Sequence, residues 1–450
     1  MRPSAPEAGI TILLAFLPVL CTASSINAQE PTLAIVGGRV IDGYGGPVLE
    51  NGVVLVAGER IVAVGPASAV TIPAGVRRVD ANGMTVLPGL CDMHVHLQLL
   101  GHGDYARWDE LYGGRDEEIM AIGAAQLLQA GVTCARDLGG PLDELLATRR
   151  KIAAGEIPGP RLFISGPFLQ KAPYEPWQAE YRWGIDGAAD ARAKTQRLID
   201  AGVDVIKLID QDQLTHDEVA AVVTTAHAAG KPVVAHAHRM DEIRVGLEHG
   251  IDNFEHTGLG TAPGYAPDVL QALRERNSAL WWTPTISPLY VMQYTGEVFP
   301  ERLDDPSWRA GMPSEMADEI RASLEHIPWL PYYALFPSRI PRLPDKFAEL
   351  RETGVRMLIG TDSGIPSMFH TDSTWREMVK WVELGVPPME VIQSATLWPG
   401  RFFRRDDLGT LAPGSLADII AVRGDPLTDM TVLRSVDVVV RGGEVVRAPR

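Results

Sequence analysis

Between residues 85 and 400 the chain repeats one pattern eight times: a short strand-like run, a loop, then a run with helical spacing. The strand-like segments read TVLPGLCDMHVHL, VTCARDL, RLFISGP, DVIKLID, PVVAHAH, DNFEHTG, WWTPTIS and RMLIGTDSG. Strands joined through helices pair in parallel, because each crossover returns the chain to the same end of the sheet. Eight such units predict an α/β chain with a (β/α)8 TIM barrel. A doubly wound sheet is the alternative that strand count leaves open. The clearest helix is THDEVAAVVTTAHAAG (215–230). Thr215 and Glu218 form a capping box, and Gly230 followed by Pro232 ends the helix.

Both ends of the chain are β-rich in a different style. TLAIVGGRVIDG, GVVLVAG and ERIVAVG near the start, and SLADIIAVRGDP and SVDVVVRGGEVVR near the end, are short strands broken by turn signals. They predict a small β-sandwich built from both termini, residues 29–84 and 406–450, with the barrel (85–405) inserted between. The stretch 289–342 is long for a loop and reads as a partly helical lid insertion.

Residues 10–20, ITILLAFLPVL, are an apolar run too short to span a bilayer. With Arg2 before it and SINA (25–28) after it, the run reads as a signal peptide cleaved near Ala28. The expected location is therefore periplasmic or secreted. A misassigned start site is the alternative. No later segment reads as a membrane span. The net charge of −16 argues against nucleic acid or an anionic membrane as the main partner. Cys91 and Cys134, the two cysteines beyond the presumed signal, read as buried thiols and not as a disulfide framework.

Ionisable residues gather at the ends of the strands. His94 and His96 are two apart late in the first, so alternation puts them on one face. Lys207 lies in the fourth, His236 and His238 end the fifth, His256 ends the sixth and Asp362 ends the eighth. The C-terminal mouth of a barrel is where such enzymes keep their active sites, and imidazoles there can grip a metal. Lys207 is the anomaly, an ammonium within the apolar run GVDVIKLI (202–209). An ammonium has no acceptor and cannot ligate a metal. A core ion pair is one explanation. The other is chemical: a neutral buried amine takes up CO2, and the resulting carbamate can bridge two cations.

The stretches PGLCDMHVHL, GVTCARDLGG, GVDVIKLI, VVAHAH, FEHTG, IGTDSG and LGTLAPGSLADIIAV, in this order, resemble the amidohydrolase superfamily. The narrower likeness is to its imidazolonepropionase-like group, which includes metal-dependent, Xaa-Pro dipeptidase-like enzymes. The resemblance implies a binuclear centre. His94, His96 and Asp362 would hold one divalent ion, His236 and His256 the other, and carboxylated Lys207 would bridge them. Zinc suits such ligands. Two departures leave the substrate open: SGPFLQKAPYEPW (165–177) carries no histidine where many relatives have a Gly-Gly-His-Gly element, and Ile209 stands where relatives often have tyrosine.

The implied reaction is hydrolysis of an amide or peptide bond in a small molecule, a dipeptide or N-acyl amino acid, by a metal-bridging hydroxide with Asp362 as proton shuttle. A lactonase or organophosphate ester hydrolase is the runner-up, and a catalytically dead binding scaffold the outsider. His238 reads as a catalytic or substrate contact, or as packing. Arg136 and Arg239 are candidates to hold a substrate carboxylate, Arg136 alternatively pairing with Asp137 or Glu255. Trp177, Phe168 and Tyr181 on the third loop, and Trp281, Trp282, Tyr290 and Tyr333 around the seventh, predict an aromatic pocket. His370 is a possible supporting residue, His102 a weak candidate, and His216, His227 and His249 surface residues. A homo-oligomer stays open.

Overall fold

The computed structural model describes residues 30–171, 175, 178–257, 262–299, 301–327 and 333–449. The apolar run at 10–20 and Trp177 lie outside them.

Five strands open the described chain: β1 (Leu33–Val40), β2 (Leu49–Ala57), β3 (Arg60–Pro66), β4 (Arg77–Asp80) and β5 (Met84–Pro88). The parallel strands follow. They are β6 (Leu90–Val95), β7 (Val132–Asp137), β8 (Arg161–Ile164), β9 (Phe168–Gln170), β10 (Arg182–Gly184), β11 (Ile206–Leu208), β12 (Val233–His236), β13 (Asn253–Glu255), β14 (Trp281–Thr283) and β15 (Arg356–Met357). Three more, β16 (Ile419–Arg423), β17 (Val436–Arg441) and β18 (Glu444–Arg447), close the chain.

One sheet takes strands from both ends, in the order β18-β17-β16-β5-β1-β2-β3, with β4 beside β1. The junction is β5 against β16, antiparallel, Leu87 facing Ile420. Valine and isoleucine side chains from both halves fill its core, including Val54, Val86, Ile419 and Val438. Expected as one strand, TVLPGLCDMHVHL is two. Its first part, β5, joins this terminal sheet and its second, β6, joins the parallel one. The chain changes sheet at Gly89, where an added Cβ would fall 2.1 Å from the Thr133 hydroxyl. No larger residue fits that crossing.

The parallel strands form two sheets, β6-β7-β8 and β10-β9-β11-β12-β13-β14-β15. Backbone hydrogen bonds also run between them. Asp204 N donates to Ile164 O (2.8 Å), and Met93 N donates to Ile359 O (2.9 Å). Helices alternate with these strands: α1 (Tyr105–Tyr112), α2 (Asp116–Gln129), α3 (Leu142–Ala153), α4 (Gly187–Ala201), α5 (His216–Ala228) and α6 (Met240–His249) come first. The Thr215–Glu218 capping box is present at the start of α5: Glu218 N donates to the Thr215 hydroxyl, and Thr215 N donates to the Glu218 carboxylate at 2.8 Å. The insertion after β14 is partly helical, with segments Ser287–Glu297 and Ser314–Ser323. The second packs on the β6 loop, where Gly103 N donates to Ser323 Oγ (2.8 Å).

Candidate metal centre

Two groups of ligand-type side chains meet at the ends of the parallel strands: His94, His96 and Asp362, and His236, His238 and His256. In the first group both Nε2 atoms face Asp362 Oδ1, His94 at 3.4 Å and His96 at 3.1 Å. In the second, His236 Nδ1 lies 2.7 Å from His256 Nε2. The His238 ring stacks on His256 at 4.4 Å. The backbone turns sharply as it leaves these strands. His256, Thr285 and Asp362 all have positive φ (71°, 42° and 57°), a costly conformation outside glycine.

Three of the imidazoles are held through their Nδ1 atoms. His94 Nδ1 lies 2.9 Å from Glu255 Oε2, and His96 Nδ1 donates to Gly139 O (3.3 Å). His256 Nδ1 sits 2.8 Å from the Thr285 hydroxyl. A proton on Nδ1 of His94 and His96 leaves each Nε2 lone pair pointing at Asp362, the arrangement metal-ligating histidines require. Below them, Asp92 accepts from His94 N (3.2 Å), Thr361 N (3.1 Å), Thr361 Oγ1 (2.7 Å) and Thr374 Oγ1 (2.9 Å). It ties the two ligand-bearing strands together.

Electrostatics favour neutral donors. Burial pushes the rings of His94, His236 and His256 well below the ordinary imidazole range, and His238 down to about 4. His96 goes the other way. Burial disfavours its charged form, but Asp362 beside it outweighs burial and raises it. Asp362 is itself pushed up by burial, but the imidazoles and Lys207 hold it down to about 2.

Lys207 is fully buried, and Nζ has no hydrogen-bond partner among the described residues. Burial lowers it to about 8, against the pull of Glu255 and Asp362. The core ion pair that would explain an ordinary lysine is absent among the described residues. An orphaned amine beside neutral imidazoles and one carboxylate is a donor set short of negative charge. It fits a pair of divalent cations only once the amine has become anionic.

Other sequence candidates fall elsewhere. Arg136 is wholly buried and donates to Glu255 Oε1 (2.7 Å), Met93 O (2.6 Å) and Thr283 Oγ1 (3.2 Å). It supports Glu255 from within the core and cannot reach a substrate carboxylate. Asp137, its other expected partner, accepts instead from Leu97 N and Gly139 N. Arg239 is not among the residues lining the cavity and is held by Asp210, Asp212 and Glu242 at 2.7–2.8 Å. Three carboxylates already satisfy it. His370 bridges Ser363 Oγ (2.8 Å) and Leu99 O (3.0 Å), a buried support for the β15 end.

A cavity of about 270 Å³ opens beside the imidazoles, lined by His96, His236, His238, His256 and Asp362. It is aromatic, as expected, but its rings come largely from another element. Tyr105, Trp108 and Tyr112 of α1 join Phe168 and Tyr181. Trp282 packs instead against Phe254 and Tyr265, and Trp281 against Trp398 and Phe402. The Arg136–Glu255 pair was one of the expected options, but the contact of Glu255 with His94 and the part α1 plays in the cavity were missed in the sequence. A carboxylate inside the strand NFEHTG was as anomalous as Lys207, and that was the available signal for Glu255.

A model of the Amidohydrolase family matches residues 85–446. The chain belongs to the amidohydrolase family. As an amidohydrolase it is a metal-dependent hydrolase acting on carbon–nitrogen bonds. Its structure resembles that of a Xaa-Pro dipeptidase crystallised with methionine in the active site. The TM-score is 0.73 at 25% identity, over 92% of this chain and 100% of the other. In sequence it is 36% identical over 132 residues to a 5-methylthioadenosine/S-adenosylhomocysteine deaminase of Symbiobacterium thermophilum, spanning 25% of this chain and 29% of that protein. It is 28% identical over 256 residues to an imidazolonepropionase of Caulobacter vibrioides, spanning 50% of this chain and 61% of that one. The chain thus spans less than two thirds of these two curated relatives.

Proposed function

We propose that this amidohydrolase hydrolyses an amide or peptide bond in a small substrate with an apolar or aromatic group, at a binuclear centre. Its ligands would be His94, His96, Asp362, His236, His256 and Lys207 as a carbamate. The observation that carries the proposal is Lys207 Nζ, buried and unpartnered amid the histidines and Asp362. The likeness to a Xaa-Pro dipeptidase supports the substrate class. The hydrogen bonds linking the two parallel sheets support a closed (β/α)8 barrel, and the terminal sheet with its own apolar core is the part read as a β-sandwich.

Divalent ions bound there, zinc by ligand type, would supply Lewis acidity toward a carbonyl and a hydroxide nucleophile at neutral pH. Asp362, ionised at neutral pH, takes the proton from the attacking water and delivers it to the leaving nitrogen. Neutral His238 faces the same cavity and is placed to donate to the developing oxyanion. The aromatic wall seats the substrate's apolar group and keeps bulk water away.

The test is turnover of matched dipeptides, N-acyl amino acids and lactones by the metal-loaded protein. Amide turnover ahead of lactone turnover is expected. Fast lactone hydrolysis without amide turnover would replace this reading with the ester-hydrolase one.

A further inference from the structure

A third group of ligand-type side chains lies outside the cavity. His216 is the first residue of α5, and Glu248 and His249 are the last two of α6. His216 Nδ1 lies 2.9 Å from His249 Nε2 and 3.3 Å from Glu248 Oε1. The three ligand atoms all fall within 4.8 Å of one another. None of these residues lines the cavity beside the catalytic imidazoles.

Hydrogen bonding serves this group poorly. If His216 Nδ1 carries a proton, a single N–H is shared between an imidazole nitrogen and a carboxylate. If it does not, its lone pair faces the carboxylate oxygen at 3.3 Å. A divalent cation takes up all three lone pairs at once. The spacing suits one: bonds of about 2.0–2.1 Å at tetrahedral angles put neighbouring ligand atoms roughly 3.3–3.4 Å apart. The His216 and Glu248 side chains are both 62% exposed, so an ion reaches them directly from solvent. Burial lowers the His249 imidazole against the pull of Glu248, which keeps that ring a neutral donor at neutral pH. The chain's charge of −16 draws cations to its surface.

We infer that His216, Glu248 and His249 bind one divalent cation of the zinc class, and that this ion clamps the start of α5 to the end of α6. Two imidazoles and one carboxylate are the donors zinc takes, and three protein ligands leave a position for water. α5 follows β11, which carries Lys207, and α6 follows β12, which carries His236. The ion therefore ties together two strand–helix units of the candidate metal centre without belonging to it. An open three-ligand site is also the first to empty against a weak chelator, which leaves the buried centre loaded. The inference does not rest on which bond the enzyme cleaves.

Equilibrium dialysis of the full chain against micromolar zinc, followed by elemental analysis, counts the ions. His216→Ala and His249→Ala should each hold one ion fewer per chain than wild type. That difference is the same however many ions the catalytic centre holds. His227→Ala, which removes a surface histidine paired with Asp252, should hold as many as wild type. Zinc should also raise the Tm of wild type by more than it raises that of either variant. A full ion count in His216→Ala or His249→Ala overturns the site, since any zinc then bound at the surface does not depend on these ligands. Loss of the ion with an unchanged zinc-dependent rise in Tm overturns the clamp.

Discussion

Glu255 lies between two partners in the core: its Oε2 is 2.9 Å from His94 Nδ1, and its Oε1 accepts from Arg136 at 2.7 Å. Arg136 holds the carboxylate, the carboxylate holds the imidazole, and the imidazole turns Nε2 toward Asp362. None of the three side chains in this relay is exposed. Glu255→Gln should weaken divalent-metal binding about 10–100-fold, the usual effect of losing such a support. It also leaves Arg136 without its counter-charge, at a cost of roughly 3–5 kcal/mol in folding stability. Arg136→Met/Glu255→Gln should recover stability without recovering metal affinity. Competition with a chromogenic chelator checks the first effect and urea unfolding the second. Unchanged metal affinity in Glu255→Gln would remove Glu255 from the site.

His238 is grouped with His236 and His256, yet its Nδ1 has no partner among the described residues and the ring faces the cavity. As an oxyanion donor it predicts that His238→Asn keeps both metals while kcat falls about 10²–10³-fold. Elemental analysis alongside steady-state kinetics separates the roles. Loss of one metal ion in the variant would make His238 a ligand instead.

Two sets of ligands predict about two divalent ions per chain, and Lys207→Ala should lose one of them together with activity. Short-chain carboxylic acids should restore part of both by standing in for the carbamate. Full metal content and full activity in Lys207→Ala would return Lys207 to an ordinary core residue.

The run ITILLAFLPVL, ending in small residues near Ala28, predicts export. N-terminal sequencing of the native protein should begin close to Gln29. Cytoplasmic protein that retains Met1 would contradict the prediction.

His94, His96, His236, His256 and Asp362 were legible because residue type and strand position agree: each is a ligand-type side chain late in an apolar run. Glu255 was harder. Its pairing with Arg136 was among the expected options, but its contact with His94, distant in sequence, exists only once β6 and β13 share one core. Arg239 was misread although LIDQDQ offered a local signal, since Asp210 and Asp212 are the acids that bind it. Trp281 and Trp282 were misassigned because an aromatic on a parallel strand can serve either the mouth or the helix layer. The wall of α1 was invisible for a related reason. A helix in a βα loop gives no sign in its sequence of which way it folds over the mouth.

Lys207 gives a prediction that needs no substrate. In metal-free, CO2-free protein its amine is lowered from 10.5 to about 8, chiefly by burial. Below pH 8 the lysine is charged in both the folded and the unfolded chain, and the folded state bears the full cost of burying that charge. Between pH 8 and 10.5 the unfolded chain holds more protons than the folded one, so stability rises with pH across that window. The shift corresponds to a penalty on the order of 3 kcal/mol at neutral pH. Lys207→Met removes the group and keeps the volume. It should therefore be the more stable metal-free protein at pH 7, by an amount that shrinks as pH climbs from 8 toward 10.5. Urea unfolding of both proteins across this range measures the difference, in which other titrating groups largely cancel. Adding bicarbonate with zinc should stabilise wild type more than Lys207→Met, and 13C-bicarbonate should give a carbamate resonance only in wild type. A stability gap that does not change with pH would mean that Lys207 is not held as a destabilised ammonium, and a missing carbamate resonance would leave the second cation without its bridging anion.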